Sequence, residues 1–120
     1  MKVDFDASKP IYQQVIDEIR KAVARGALKP GEKIPSQREL AQSLQVNPNT
    51  IQRAYREMEQ SNLVETLRGQ GTFIKDNPSL FLEIRRDMVE EALKGFINEM
   101  HSLGFDDNEI LKLIEEKLQK

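Results

Sequence analysis

The sequence predicts a mostly α fold: three helices and a β-hairpin, followed by two further helices. Three observations predict it. Ser36 to Arg56 holds two short amphipathic segments broken by a tight turn; two short apolar runs flank a Gly-x-Gly between 63 and 74; and from Leu80 onward apolar residues keep a seven-residue period. At 120 residues, 38% apolar and 32% charged, the chain suffices for one small domain with an appendage. The boundary is read at Asp76-Asn77-Pro78, giving a first domain over 1–77 and a tail over 78–120.

In chain order, Val3-Asp4-Phe5 is too short to assign, with an edge strand as its one regular option. Pro10 to Arg25 reads as an amphipathic helix, with Ile11, Val15, Ile16, Ile19, Ala22 and Val23 on one face and Gly26 to end it. Leu28 to Glu32 is a turn by its Pro-Gly pair, and Lys33-Ile34-Pro35 leads into the next helix. That helix opens at Ser36, with Glu39 at capping-box spacing and Leu40, Ala41 and Leu44 as its apolar face. Gln45 falls in the turn, where a positive φ is expected and glycine is usual; a side chain there costs roughly 1–2 kcal/mol. Asn47 followed by Pro48 restarts the helix as an N-cap and a first-turn proline. Ile51, Ala54, Tyr55 and Met58 then lie at i, i+3, i+4 and i+7 on a buried face.

The opposite face carries the chemistry. Asn49, Gln52, Arg53 and Arg56 share one solvent-facing stripe. Asn and Gln pair bidentately with adenine in a major groove; Arg pairs with guanine or holds a phosphate. The pattern predicts a helix-turn-helix whose second helix protrudes. Leu63 to Leu67 and Thr72 to Ile74 read as two strands, with Arg68-Gly69-Gln70-Gly71 at the tip, which makes the whole a winged helix-turn-helix. Arg68 and Gln70 suit backbone contact beside the protruding helix, and the glycines allow close approach.

The net charge of −2 would argue against a polyanion partner, but its distribution reverses that. Residues 1–77 carry a balance of +2 and residues 78–120 one of −4. Within Lys33 to Arg56 only Glu39 opposes Lys33, Arg38, Arg53 and Arg56. The chain has no Cys and one His, His101, which excludes a thiol nucleophile, a disulfide framework and a Cys/His zinc site. His101 reads as a surface or dimer-edge residue. No cofactor, metal site or catalytic residue is expected: Glu90 and Glu91 point to different helix faces. No segment reads as a signal or a membrane span, so a cytoplasmic protein without membrane contact is expected.

In the tail, Leu82, Val89, Leu93, Phe96, Met100 and Leu103 keep the seven-residue period, widened by Phe81, Ile84, Met88 and Ala92. Gly104 ends this helix. Phe105, Asp106, Glu109 and Ile110 have the spacing of a capping box with a hydrophobic staple, and the last helix puts Ile110, Leu111, Ile114 and Leu118 on one face. Two helices cannot enclose that much apolar surface alone, so Phe81, Leu82, Val89, Leu93, Phe96 and Met100 are the expected dimerisation residues. Each is worth about 1.5–3 kcal/mol when fully buried.

Three stretches together, Leu28 to Ala41, Val46 to Tyr55 and Arg68 to Phe73, resemble the winged-helix domain of the GntR family of bacterial transcription regulators over about residues 9–77. The Asn-Pro-Asn-Thr helix start and the short tail look like the YtrA-like branch. The resemblance implies a homodimer that binds double-stranded DNA at a palindromic operator, usually as a repressor. It places DNA contacts on Arg38, on Asn47, Asn49, Thr50 and Gln52, and on Gly69 to Gly71. Many family members have arginine where Pro48 and Gln52 stand; Arg53 and Arg56 are expected to restore part of that charge. A small-molecule effector would bind at a dimer seam. The alternative reading is a winged helix that docks a protein without sequence-specific DNA binding, a surface on which aromatic anchors would be expected.

Overall fold

In the computed structural model, which describes residues 1–119, helix α1 spans Ile11–Ala24, α2 Gln37–Leu44, α3 Pro48–Gln60, α4 Pro78–Ser102 and α5 Asp107–Leu118. Three short strands, β1 Lys33–Ile34, β2 Val64–Leu67 and β3 Gly71–Ile74, form an antiparallel sheet in the order β1-β3-β2. The chain divides into two compact units, Met1–Arg85 and the residues from Arg86 onward.

The first unit is the winged helix-turn-helix. Its core is built on α3: Ile51, Ala54, Tyr55 and Met58 are fully buried, beside Val15, Ile19 and Val23 of α1 and Leu40 and Ala41 of α2. Helix α1 packs directly on α3. Tyr55 is the largest of the buried side chains, and its hydroxyl donates to the Pro35 carbonyl, tying α3 to the residue just before α2. Burial pushes the Tyr55 phenol above its ordinary value, and the nearby Glu39 charge adds to the effect. Ile34, Val64 and Ile74 close the core from the sheet, where the buried Thr72 hydroxyl lies 3.1 Å from that of Thr66.

Several sequence expectations shift. Val3-Asp4-Phe5 forms no strand. The Gln14 amide instead accepts from the Asp6 N–H at 2.7 Å and donates to the Asp6 and Lys9 carbonyls, so the segment folds back on α1. Ile11 is exposed rather than part of the buried face, because α1 starts there and its apolar stripe is first covered at Val15. Lys33-Ile34 is more than a lead-in: Lys33 pairs with Phe73 and Ile34 with Thr72. Asn77-Pro78 starts a helix, the Asn77 side chain accepting from the Ser79 N–H at 3.1 Å, so α4 begins two residues earlier than periodicity suggests.

In the second unit, Asp106 and Glu109 form the expected capping box of α5, and Gly104 turns the chain at φ +91. His101 is exposed, its Nε2 2.7 Å from the Asp107 carboxylate. Ile110 is buried, while Val89, Leu93, Phe96, Ile97, Leu103, Leu111 and Leu118 are exposed within the chain. No helix among the described residues is long and apolar enough to cross a membrane.

Because the folded state resists ionising Tyr55, its raised pKa contributes stability in full below pH 10, the phenol's ordinary value. That contribution is lost as pH rises above 10, where the unfolded chain releases the proton and the folded chain does not. Tyr55→Phe is expected to lower stability by about 1 kcal/mol at neutral pH through the lost hydrogen bond. It should also flatten the decline above pH 10 in urea titrations; an unchanged slope would contradict this.

Candidate nucleic-acid interface

The interface is assembled by three local devices. At the start of α2, the Ser36 hydroxyl accepts from the Glu39 N–H at 3.1 Å and the Glu39 carboxylate accepts from the Ser36 N–H at 3.0 Å. The Ser36 backbone bond, more than its hydroxyl, holds the Glu39 carboxyl below its ordinary value. The box holds one oxygen of the Glu39 carboxylate, and Arg38 is exposed on the same first turn. Between the helices, Gln45 sits at φ 56, ψ 46, the left-handed conformation expected of it. The Val46 N–H closes the turn by donating to the Ala41 carbonyl at 3.0 Å, a Schellman-type closure.

The third device is the start of α3. The Asn47 side-chain oxygen accepts from the Asn49 N–H at 2.8 Å, and Pro48 occupies the first helical position. Asn47 was expected among the DNA contacts. With its oxygen committed to the cap, only its amide NH₂ remains to donate outward, which suits a phosphate or base acceptor rather than bidentate pairing.

These devices bring Arg38, Asn49 and Gln52 together around one open hollow of about 490 Å³ between α2 and α3. Gln37 and Gln42 share it, and neither was among the expected contacts. Gln42 could have been found from the sequence: it lies four residues after Arg38, on the same side of α2. Thr50 is half-buried, its N–H bonded to the Asn47 carbonyl at 3.0 Å, so it presents an edge rather than a whole side chain.

Arg53 and Arg56 lie outside the hollow. The Arg53 guanidinium lies 3.8 Å from the centre of the Tyr12 ring, donates to the Tyr12 hydroxyl at 3.2 Å, and stands 3.7 Å from Glu57. The stripe seen in the sequence thus divides: Asn49 and Gln52 turn toward α2, while Arg53 turns toward α1. Arg53 is a cation already stacked and ion-paired. Arg38, Arg56 and Arg68 are exposed and form no ion pair among the described residues.

In the wing, the Gln70 N–H donates to the Leu67 carbonyl at 2.9 Å across a turn with Gly69 at φ +78, a conformation that favours glycine at that position. Arg68, Gly69 and Gln70 are exposed at the tip. Gly71 has φ +123, and a Cβ there would stand 2.7 Å from Lys33 Cε. The Lys33 side chain therefore lies along the root of the wing and adds a cation to it, a second contribution that the sequence did not reveal.

The expected dimerisation residues divide as well. Leu82, Val89, Leu93 and Phe96 are exposed. Phe81 is half-buried with the Arg85 guanidinium 5.7 Å from its ring centre. Met100 is half-buried, lining an apolar hollow of about 400 Å³ with Phe96, Leu113, Ile114 and Leu118.

Residues 11–74 match the family described as bacterial regulatory proteins, gntR family. The chain is 46% identical over 115 residues to the uncharacterized HTH-type transcriptional regulator YhcF of Bacillus subtilis, covering 96% of this chain and 95% of that one. It is 39% identical over 117 residues to the HTH-type transcriptional repressor YtrA of the same organism, covering 97% and 90%. Among solved structures, a GntR family transcriptional regulator from Listeria monocytogenes superimposes with a TM-score of 0.87 at 37% identity, covering 93% of this chain and 98% of that one. AraR(DBD), solved in complex with an operator, matches 62% of this chain and 93% of its own at a TM-score of 0.53 and 30% identity. The capped two-helix unit, its amide-lined hollow and the glycine wing therefore belong to a DNA-binding transcriptional regulator of the GntR family, of its YtrA-like branch.

Proposed function

We propose that the protein is a homodimeric repressor whose two α3 helices enter successive major grooves of a palindromic operator, about 34–36 Å apart. The observation that carries this reading is the division of α3. One face is wholly buried, and the other sets Asn49 and Gln52 beside Arg38 on one open surface. In this reading Asn49 and Gln52 contact base edges and Thr50 and Asn47 contribute single bonds. Arg38, Arg53, Arg56, Arg68 and Lys33 meet phosphates, and Gly69 to Gly71 let the wing backbone approach the duplex. That AraR(DBD) was solved in complex with an operator supports an operator as the partner, and the repressor YtrA supports the direction of regulation.

Exposed apolar surface supports the dimer. In the second unit Val89, Leu93 and Ile97 are exposed along α4, Leu103 just beyond its end, and Leu111 and Leu118 along α5. Leu118 is 78% exposed and Leu103 62%, well beyond what scattered surface leucines explain in so short a unit. A second copy is the partner that covers such a stripe symmetrically. The hollow beside it, at about 400 Å³, is of ligand-pocket size and marks where a small-molecule effector would act on the seam.

Four outcomes are expected. Arg38→Ala should weaken binding to every duplex alike and lower the slope of log affinity against log salt by about one, while Gln52→Ala relaxes preference at one position of each half-site. Unchanged affinity and preference in both would contradict the assigned face. Duplexes selected from a random pool should be two-fold symmetric and bound by two copies. Leu93→Asp should give a monomer by sedimentation with at least tenfold weaker binding to the selected site. A dimer that survives this change, or an asymmetric site, would count against the seam.

A further inference from the structure

The lining of the hollow between α2 and α3 is not all polar. Beside the amides of Asn49 and Gln52 it includes Ala41, Val46 and Pro48. Pro48 is exposed on the leading edge of α3. It has no N–H, and the neighbouring Asn47 oxygen is held by the Asn49 N–H, so this edge offers ring carbons where its flanks offer donors. A proline at a helix start needs no function to explain it: Pro78 opens α4 after an asparagine in the same way. Pro48 differs because its ring lines a hollow, among amides suited to adenine and beside a guanidinium.

A major groove presents one apolar group at its base edges, the 5-methyl of thymine. We infer that the apolar side of this hollow, Pro48 backed by Val46 and Ala41, receives the 5-methyl group of one thymine in each half-site, which makes Pro48 a specificity-determining residue. The inference rests on the reading of α3 as the helix that enters the major groove. It predicts a half-site with a T·A pair under the start of α3.

Deoxyuridine separates this contact from every hydrogen bond, since it pairs with adenine as thymine does and lacks only the methyl. On duplexes selected by the full-length protein, each half-site thymine is replaced in turn by deoxyuridine and affinity is measured. One position is expected to lose about fourfold, the worth of one buried methyl group. In Pro48→Ala, and in Pro48→Ser as a second variant, the thymine-to-deoxyuridine ratio at that position should fall toward one. A wild-type scan with no sensitive thymine overturns the inference, as does a position that stays equally sensitive in a folded Pro48 variant. A symmetric selected site without methyl sensitivity overturns this contact alone. Failure to select any site overturns both this contact and the operator reading beneath it.

Discussion

The rotation of α3 about its own axis is the constraint on which everything else depends. Four side chains fix it: Ile51, Ala54, Tyr55 and Met58 are fully buried, so the helix has one way to sit on α1 and α2. Turning it by one residue, about 100°, would bring Gln52 or Arg56 into the core at a cost of several kcal/mol per unpaired polar group. The Tyr55 hydroxyl adds a directional bond to the Pro35 carbonyl, which ties that rotation to the start of α2. The outward groups therefore need no individual support. Their direction is what remains once the inward set is satisfied.

That outward set is graded, and the grading has a physical origin. Residues 49 and 52 look toward α2 and share its hollow with Arg38. Residue 53 lies one position further round and meets Tyr12 on α1, where stacking and a hydrogen bond hold the guanidinium in place. In the proposed complex a cation held in this way would lose little further side-chain entropy on meeting a phosphate, while the amides would stay free to adjust to base edges. Capping imposes a second division. Asn47 and Glu39 are polar residues of this surface that each have an acceptor oxygen held by a backbone N–H, so they shape the surface more than they extend from it.

Local chemistry was legible in the sequence, and long-range pairing was not. Ser36 with Glu39, Asp106 with Glu109, Gln45 in its left-handed turn and the buried period of α3 all depend on residues within one or two turns, and all appear as their spacing predicts. Strand β1 was invisible because two residues carry no periodicity; it exists through pairing with β3, some forty residues later. The Tyr12–Arg53 stack spans 41 residues and the Lys33–Gly71 approach nearly as many, and no spacing rule reaches either. Val3 to Phe5 was too short to assign, and it forms no strand; what Gln14 ties to α1 is the neighbouring Asp6.

The chain contains no cysteine, so single substitutions can report the orientation of α3 directly. The rate of alkylation of Asn49→Cys, Gln52→Cys, Glu59→Cys and Gln60→Cys is measured with and without saturating selected duplex. The account predicts strong protection at 49 and 52, and unchanged reactivity at 59 and 60 near the far end of the helix. Equal protection at all four positions, or none at 49 and 52, would contradict it.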